Sequence, residues 1–379
     1  MGMNKMFKKV LAVVAAGAMT MGMAMPTFAA DAGKTTEAWI TKTYNTEVGK
    51  KEEFSFTATQ VKTGTGIITT NAPVTIPNIS FTADETGTTK KRAQVTFPTY
   101  QEAGKYEYTV KESDTINPTV TNGEHEKMIM SQAEYTMDVY VTDGATGPEI
   151  SNIIVNKTKN DAGQTATGKV DISDADTNDF NFTNTYVQEA GTGTDPINPG
   201  PDYTTYGSLD VSKIIKTDAA DTADTNKEFE FTANFTFPNG TDGTTLGAKA
   251  TIGDSTTSIT GTSHTFNLKH GQNVKFTGLP VGTKISVTES ATPNYKGSAE
   301  VVINNGTKEA VAETKYNEAL TVSDKTLGQN KNTVDVTNTY NYVPATGIIM
   351  NTLPYVLMIA LCGVALIAFV GFKRRRLQK

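Results

Sequence analysis

The chain repeats itself, in order, and that duplication limits what it can fold into. Glu53-Phe54-Ser55-Phe56-Thr57-Ala58 returns as Glu228-Phe229-Glu230-Phe231-Thr232-Ala233. Thr109-Val110-Lys111-Glu112-Ser113 is echoed by Ser286-Val287-Thr288-Glu289-Ser290, and Thr183-Asn184-Thr185-Tyr186 by Thr337-Asn338-Thr339-Tyr340. Three segments recurring in one order imply two related domains, each long enough to enclose its own core. Between them, residues 188–206 carry Gly191, Gly193, Pro196, Pro199, Gly200 and Pro201, the composition of a linker with some extended stiffness.

The repeated segments alternate apolar and polar residues with period two. Tyr106-Glu107-Tyr108-Thr109-Val110, Met137-Asp138-Val139-Tyr140-Val141 and Phe180-Asn181-Phe182 do the same, while 3.6-residue apolar patterns are missing between the two ends. Short strands broken by Gly, Asn and Asp turns predict an all-β chain of two tandem immunoglobulin-like, antiparallel β-sandwiches.

The two ends read differently. Lys5, Lys8 and Lys9 precede an apolar run from Val10 to Met25, followed by Pro26, Thr27 and the small residues Ala29 and Ala30. That layout predicts a cleaved signal peptide over 1–29 and export from the cell. At the other end, Val343-Pro344-Ala345-Thr346-Gly347 precedes an apolar stretch from Ile348 to Phe372 and the basic cluster Lys373-Arg374-Arg375-Arg376. Such a stretch is expected to span a bilayer and leave its charges in the cytoplasm. With the pentapeptide in front, the segment resembles the LPxTG-like cell-wall sorting signal read by sortases. That resemblance implies cleavage between Thr346 and Gly347, transfer of the Thr346 carbonyl to an amine, and attachment to peptidoglycan. The expected layout is therefore signal peptide 1–29, first domain 30–187, linker 188–206, second domain 207–342 and sorting segment 343–379.

Trimming both ends removes eight of the 34 Lys and Arg residues and none of the 40 Asp and Glu, leaving a strongly acidic mature segment. Such a surface repels phosphate backbones and argues against nucleic acid as a partner. The single cysteine, Cys362, lies in the trimmed tail, so no disulfide is available to an extracellular protein. His125, His264 and His270 are scattered in polar surroundings and read as surface residues, and no metal or cofactor constellation appears. Asp174-Ala175-Asp176-Thr177-Asn178-Asp179 has part of a calcium-loop spacing but lacks its glycine and closing glutamate, and reads as a solvated turn.

Alternation also assigns every strand residue to a face, and three polar residues per half fall on the apolar face. Lys42 shares parity with Ile40 and Tyr44, Glu112 with Tyr106, Tyr108 and Val110, and Asn184 with Phe180, Phe182 and Tyr186. In the second half, Lys213 shares parity with Leu209, Val211 and Ile215, Glu289 with Ile285 and Val287, and Asn338 with Val334, Val336, Tyr340 and Tyr342. One such residue is commonly a snorkelling lysine or a turn cap. A lysine, a glutamate and an asparagine recurring in that order are harder to place so, because burying charges separately costs several kcal/mol each.

With these residues the chain resembles the isopeptide-forming domains of streptococcal major pilins of the T-antigen type, and more distantly the B-type domains of collagen adhesins. The resemblance implies intramolecular bonds Lys42–Asn184 and Lys213–Asn338, promoted by Glu112 and Glu289. The residue types suit that chemistry. Desolvation lowers a lysine pKa and raises a glutamate pKa, giving a nucleophilic amine and a neutral acid expected to donate to the asparagine oxygen. Each site turns over once, so the chain is not an enzyme on a separate substrate. The resemblance further implies neighbouring pilin subunits as partners, joined by sortase from Thr346 to a lysine, with Lys169 favoured over Lys157 and Lys159. The competing expectation is a monomeric wall-anchored adhesin that uses the same domains as a stalk to present a site for a host surface ligand. A wall hydrolase would need a nucleophile or carboxylate pair that the sequence does not offer.

Overall fold

The computed structural model describes residues 35–217, 223–341 and 345–376. The first domain contains β1 (Trp39–Thr46), β2 (Glu52–Gln60), β3 (Ile79–Phe81), β4 (Gly87–Gln94) and β5 (Gly104–Asn117). It continues with β6 (Glu126–Ile129), β7 (Glu134–Gly144), β8 (Gly147–Lys159), β9 (Thr165–Lys169) and β10 (Asn181–Gln188). A short helix, α1 (Pro201–Tyr206), precedes the second domain. That domain holds β11 (Leu209–Thr217), β12 (Phe229–Thr236), β13 (Lys249–Ile252), β14 (Ser255–Ser258), β15 (Ser263–Leu268) and β16 (Asn273–Thr277). It ends with β17 (Lys284–Glu289), β18 (Tyr295–Val302), β19 (Glu309–Val311), β20 (Leu320–Thr326) and β21 (Thr333–Tyr340), before helix α2 (Ala345–Arg376).

Each domain is two sheets facing each other. In the first they run β4-β1-β10-β6 and β3-β2-β5-β7-β8-β9; in the second, β14-β13-β16-β11-β21-β18-β19 and β15-β12-β17-β20. Alternation does what it predicts: along β12, Phe229, Phe231, Ala233 and Phe235 are buried while Glu230, Asn234 and Thr236 face solvent. The first core centres on aromatic rings, with Tyr44, Phe54 and Phe81 mutually 5.2–5.9 Å apart. Fully burying a side chain of that kind stabilises the fold by about 1.5–3 kcal/mol.

One pairing departs from the expected antiparallel sandwich. In each domain the first and last strands pair in parallel, β1 with β10 and β11 with β21. A parallel pair needs a long crossover, and here the remainder of the domain serves as that crossover. The two repeats match in register as well as in sequence: Lys42 lies opposite Phe182 and Lys213 opposite Val336, each two residues before the asparagine.

The segment expected to be a linker is docked along both domains. Gln188 ends β10, and Gln188, Glu189 and Ala190 are all buried. The Glu189 backbone donates to His125 of the first domain at 2.8 Å, and that of Ala190 to Leu279 of the second at 2.9 Å. One Glu189 carboxylate oxygen pairs with His125 Nδ1 at 2.7 Å; the other accepts from Tyr203 Oη, Ser208 Oγ and the Gly278 amide. Gly191 permits this close path: its φ is +82°, and a Cβ there would lie 2.1 Å from the Gly207 carbonyl oxygen. His125 is accordingly half-buried rather than a surface residue, as is His264, which stacks on Phe266.

The expected signal peptide lies outside the described residues, as do Val343 and Pro344 of the sorting motif. Thr346 and Gly347 fall in the first turn of α2, whose side chains before 356 also lie outside that set. Among the described residues no helix is long and apolar enough to cross a membrane.

Candidate functional site

The three polar residues on the wrong face of each sandwich meet in its core. Lys42 projects inward from β1, Glu112 from β5 in the facing sheet, and Asn184 from β10 beside β1. Lys42 and Asn184 are 0% exposed and Glu112 8%. Lys42 Nζ donates to Glu112 Oε2 at 2.9 Å, and Asn184 Nδ2 donates to Glu112 Oε1 at 2.7 Å. One carboxyl therefore holds amine and carboxamide together. In the second domain, Lys213 Nζ and Asn338 Nδ2 both donate to Glu289 Oε1, at 2.8 and 2.5 Å. All six residues expected at the two sites are brought together as two sets of three.

The repeated Glu-Phe-x-Phe segment has a role that the sequence reading did not assign. Its first phenylalanine lies under the lysine: Lys42 Nζ is 4.3 Å from the Phe54 ring centroid, and Lys213 Nζ is 4.2 Å from that of Phe229. Its second phenylalanine, Phe56 or Phe231, is the cross-strand partner of the glutamate. The recurrence of these phenylalanines beside the lysine-bearing strand was the available signal. Together they wall each site from water while offering the ammonium a π-face.

Burial sets the protonation balance. It pulls the amines of Lys42 and Lys213 down to about 8, against the raising effect of Glu112 and Glu289. It also pushes both glutamates above the usual carboxylate range, against the lowering effect of the lysines. Desolvation thus favours a neutral amine beside a neutral acid over a buried ion pair.

One expectation about the glutamate is corrected. Both glutamates contact the amide nitrogen of the asparagine rather than its oxygen. In the first domain the oxygen is already taken: Asn184 Oδ1 accepts from the Ser131 amide at 2.7 Å. A backbone N–H can only donate, so that bond fixes which way the carboxamide points. In the second domain, Asn338 Oδ1 and Glu289 Oε2 have no partner among the described residues. Gly297, opposite Asn338 on β18, leaves the carboxamide its room, since a Cβ there would sit 3.1 Å from Oδ1.

The lysines proposed to accept a second chain differ in their surroundings. Lys157 lies over the Tyr135 ring at 5.4 Å, and Lys159 pairs with Glu134 at 3.0 Å. Lys169 is exposed at the end of β9, the edge strand of its sheet. In the aspartate-rich turn, Asp174 and Asp176 are both paired with Arg92, at 2.7 and 2.9 Å.

A further buried acid was not read from the sequence. Glu52 is fully buried at the start of β2, and neither carboxyl oxygen has a partner among the described residues. Burial pushes it up from 4.5 to about 7, with Lys50 opposing and Glu126 adding to the rise. The folded state therefore holds a proton that the unfolded chain releases near pH 4.5. This contribution to stability is complete below that pH and lost as pH rises through about 7. Glu52→Gln should melt higher than the parent at pH 8, by up to about 3 kcal/mol in stability, and show a flatter melting curve against pH between 4.5 and 7. Parallel melting profiles for the two proteins would contradict this.

The fold and its two buried sets define a class: tandem β-sandwiches, each built around an amine, a carboxyl and a carboxamide. Residues 38–187 match the family model described as a Spy0128-like isopeptide containing domain. The resemblance read from the sequence is borne out there. Residues 207–340 match a model described only as a domain of unknown function. Among solved structures, the chain is similar to the major pilin of Streptococcus pyogenes, at 19% identity over 81% of this chain and 100% of that one, with a TM-score of 0.33. It is also similar to major pilins of two further serotypes of that species. One is 19% identical, the other 17%, each over 82% of this chain and 100% of the other, and both have TM-scores of 0.32. No curated protein matches the chain.

Proposed function

We propose that this chain is a structural subunit of a Gram-positive cell-surface pilus, stapled internally by Lys42–Asn184 and Lys213–Asn338 isopeptide bonds. The observation that carries this reading is the recurrence of one buried Lys–Glu–Asn set, in one strand register, in both domains. In each set the neutral lysine amine attacks the asparagine side-chain carbon and a C–N bond forms. The neutral glutamic acid gives its proton to asparagine Nδ2 as it takes one from lysine Nζ. The old C–N bond then breaks, ammonia leaves, and the glutamate ends as it began. Folding supplies the proximity, and the dry core lowers the amine's pKa to about 8, which raises the neutral, nucleophilic share.

The bonds join the first strand of each domain to the last. Those strands run parallel, so tension along the chain would load them in shear, and the covalent link would carry it in place of the sheet hydrogen bonds. In this reading the precursor is exported, transiently held in the membrane, cleaved by sortase at Thr346, and passed either to Lys169 of a neighbouring subunit or to peptidoglycan. Intact mass of the recombinant 30–346 segment tests the crosslinks. The expected value lies below the sequence mass by two ammonia molecules, and an unmodified mass would remove the reading.

A further inference from the structure

Resting on that reading, we infer that the two bonds form by unequal machinery: the Ser131 backbone N–H is a carbonyl-activating group in the first domain that the second domain lacks. Attack by Lys42 on the Asn184 side chain pushes negative charge onto Oδ1. A donor fixed there beforehand stabilises that charge without reorganising during the reaction. The Ser131 amide is such a donor, at 2.7 Å.

The donor is held by a small network. Ser131 Oγ donates to Asp161 Oδ1 at 2.5 Å, and the Thr183 amide donates to the same oxygen at 2.8 Å. Ser131 Oγ also accepts from the Ala133 amide at 3.2 Å, and the Gln132 amide donates to the Asp161 carbonyl at 3.0 Å. Asp161 thus positions the turn, tying it to the residue just before Asn184. The pairing of β6 with β10 ends at Ile129, two residues before Ser131.

In the second domain the flanking strand does not stop. β18 stays paired with β21 from Tyr295 to Val302, straight past Asn338. The Gly297 amide opposite is engaged by Thr314 Oγ1 at 3.0 Å, and Asn338 Oδ1 is left without a donor among the described residues. Glu289 Oε2 is also unpartnered among the described residues.

The test follows each bond separately. The mature 30–346 chain is taken into urea from inclusion bodies before it has folded, and its unmodified mass is confirmed at the start. It is then refolded by dilution, quenched at intervals and digested, and the Lys42–Asn184 and Lys213–Asn338 peptides are quantified by mass spectrometry. The first bond should form at least ~10-fold faster than the second once folding is complete. Ser131→Pro, which deletes the donor, should bring the first bond down to the rate of the second without changing the second. It should lower the plateau rate without moving the pH midpoint, which Lys42 sets. Ser131→Ala keeps the amide but cuts its tether to Asp161, and should fall between the two. If Ser131→Pro does not fold, the wild-type comparison and Ser131→Ala still decide. Equal rates for the two wild-type bonds would overturn this inference while leaving the crosslinks standing; absence of both crosslinked peptides would overturn the crosslinks themselves.

Discussion

Lys42→Met is expected to unstaple the first domain and lower its melting temperature by roughly 10–20 °C. The proposed bond closes a loop of 142 residues, from 42 to 184. In the chain-entropy account, a loop of that length restricts the unfolded state by about 5 kcal/mol. Methionine keeps most of the buried stem volume and brings no charge, so the loss reads the crosslink rather than a cavity or an unpaired ammonium. Intact mass should rise to a deficit of one ammonia, that of the second domain, because the two cores are separate clusters. Glu112→Ala should give the same mass but a larger loss of stability, since it strands a fully buried lysine without its partner. A Lys42→Met protein that keeps the two-ammonia deficit, or melts with the parent, would show that no bond passes through Lys42.

The second large effect concerns assembly and is close to all-or-none. If Lys169 accepts the Thr346 carbonyl of the next subunit, Lys169→Arg should collapse the ladder of high-mass species in wall extracts to the monomer. Arginine keeps the charge and reach of lysine, but its guanidinium stays protonated and does not act as an amine nucleophile. Lys157→Arg and Lys159→Arg serve as matched controls, because those side chains are engaged by Tyr135 and Glu134. Both should leave the ladder unchanged. A ladder that survives Lys169→Arg moves the acceptor elsewhere. A single band in the parent itself, in cells with sortase intact, would favour the wall-anchored monomer.

Much of this molecule is legible without coordinates. The period-two alternation places Ile40, Lys42 and Tyr44 on one face, and Phe182, Asn184 and Tyr186 on one face, wherever those strands go. The duplication then makes the polar triplets conspicuous, since an accident of parity has no reason to occur twice in the same order. Other features of the site depend on long-range pairing. The parallel match of β1 with β10 joins residues about 140 positions apart, and no local preference encodes a partner at that distance. The phenylalanines under the lysines are ordinary core residues in the sequence. They become part of the site only because β2 and β12 lie in the sheets facing β1 and β11.

By itself, then, the amino-acid order determined the all-β class, the pair of domains and the inward face of the six polar residues, because strand geometry converts sequence parity directly into sidedness. The tertiary structure alone decided which carboxyl oxygen meets which nitrogen, that Ser131 turns its amide onto Asn184, and that the glycine-rich connection is clamped around Glu189. Those are decided where a strand ends and what packs beside it. The free energy of such contacts comes from desolvation and from donors held in place by distant parts of the chain, and no short window of sequence contains both partners.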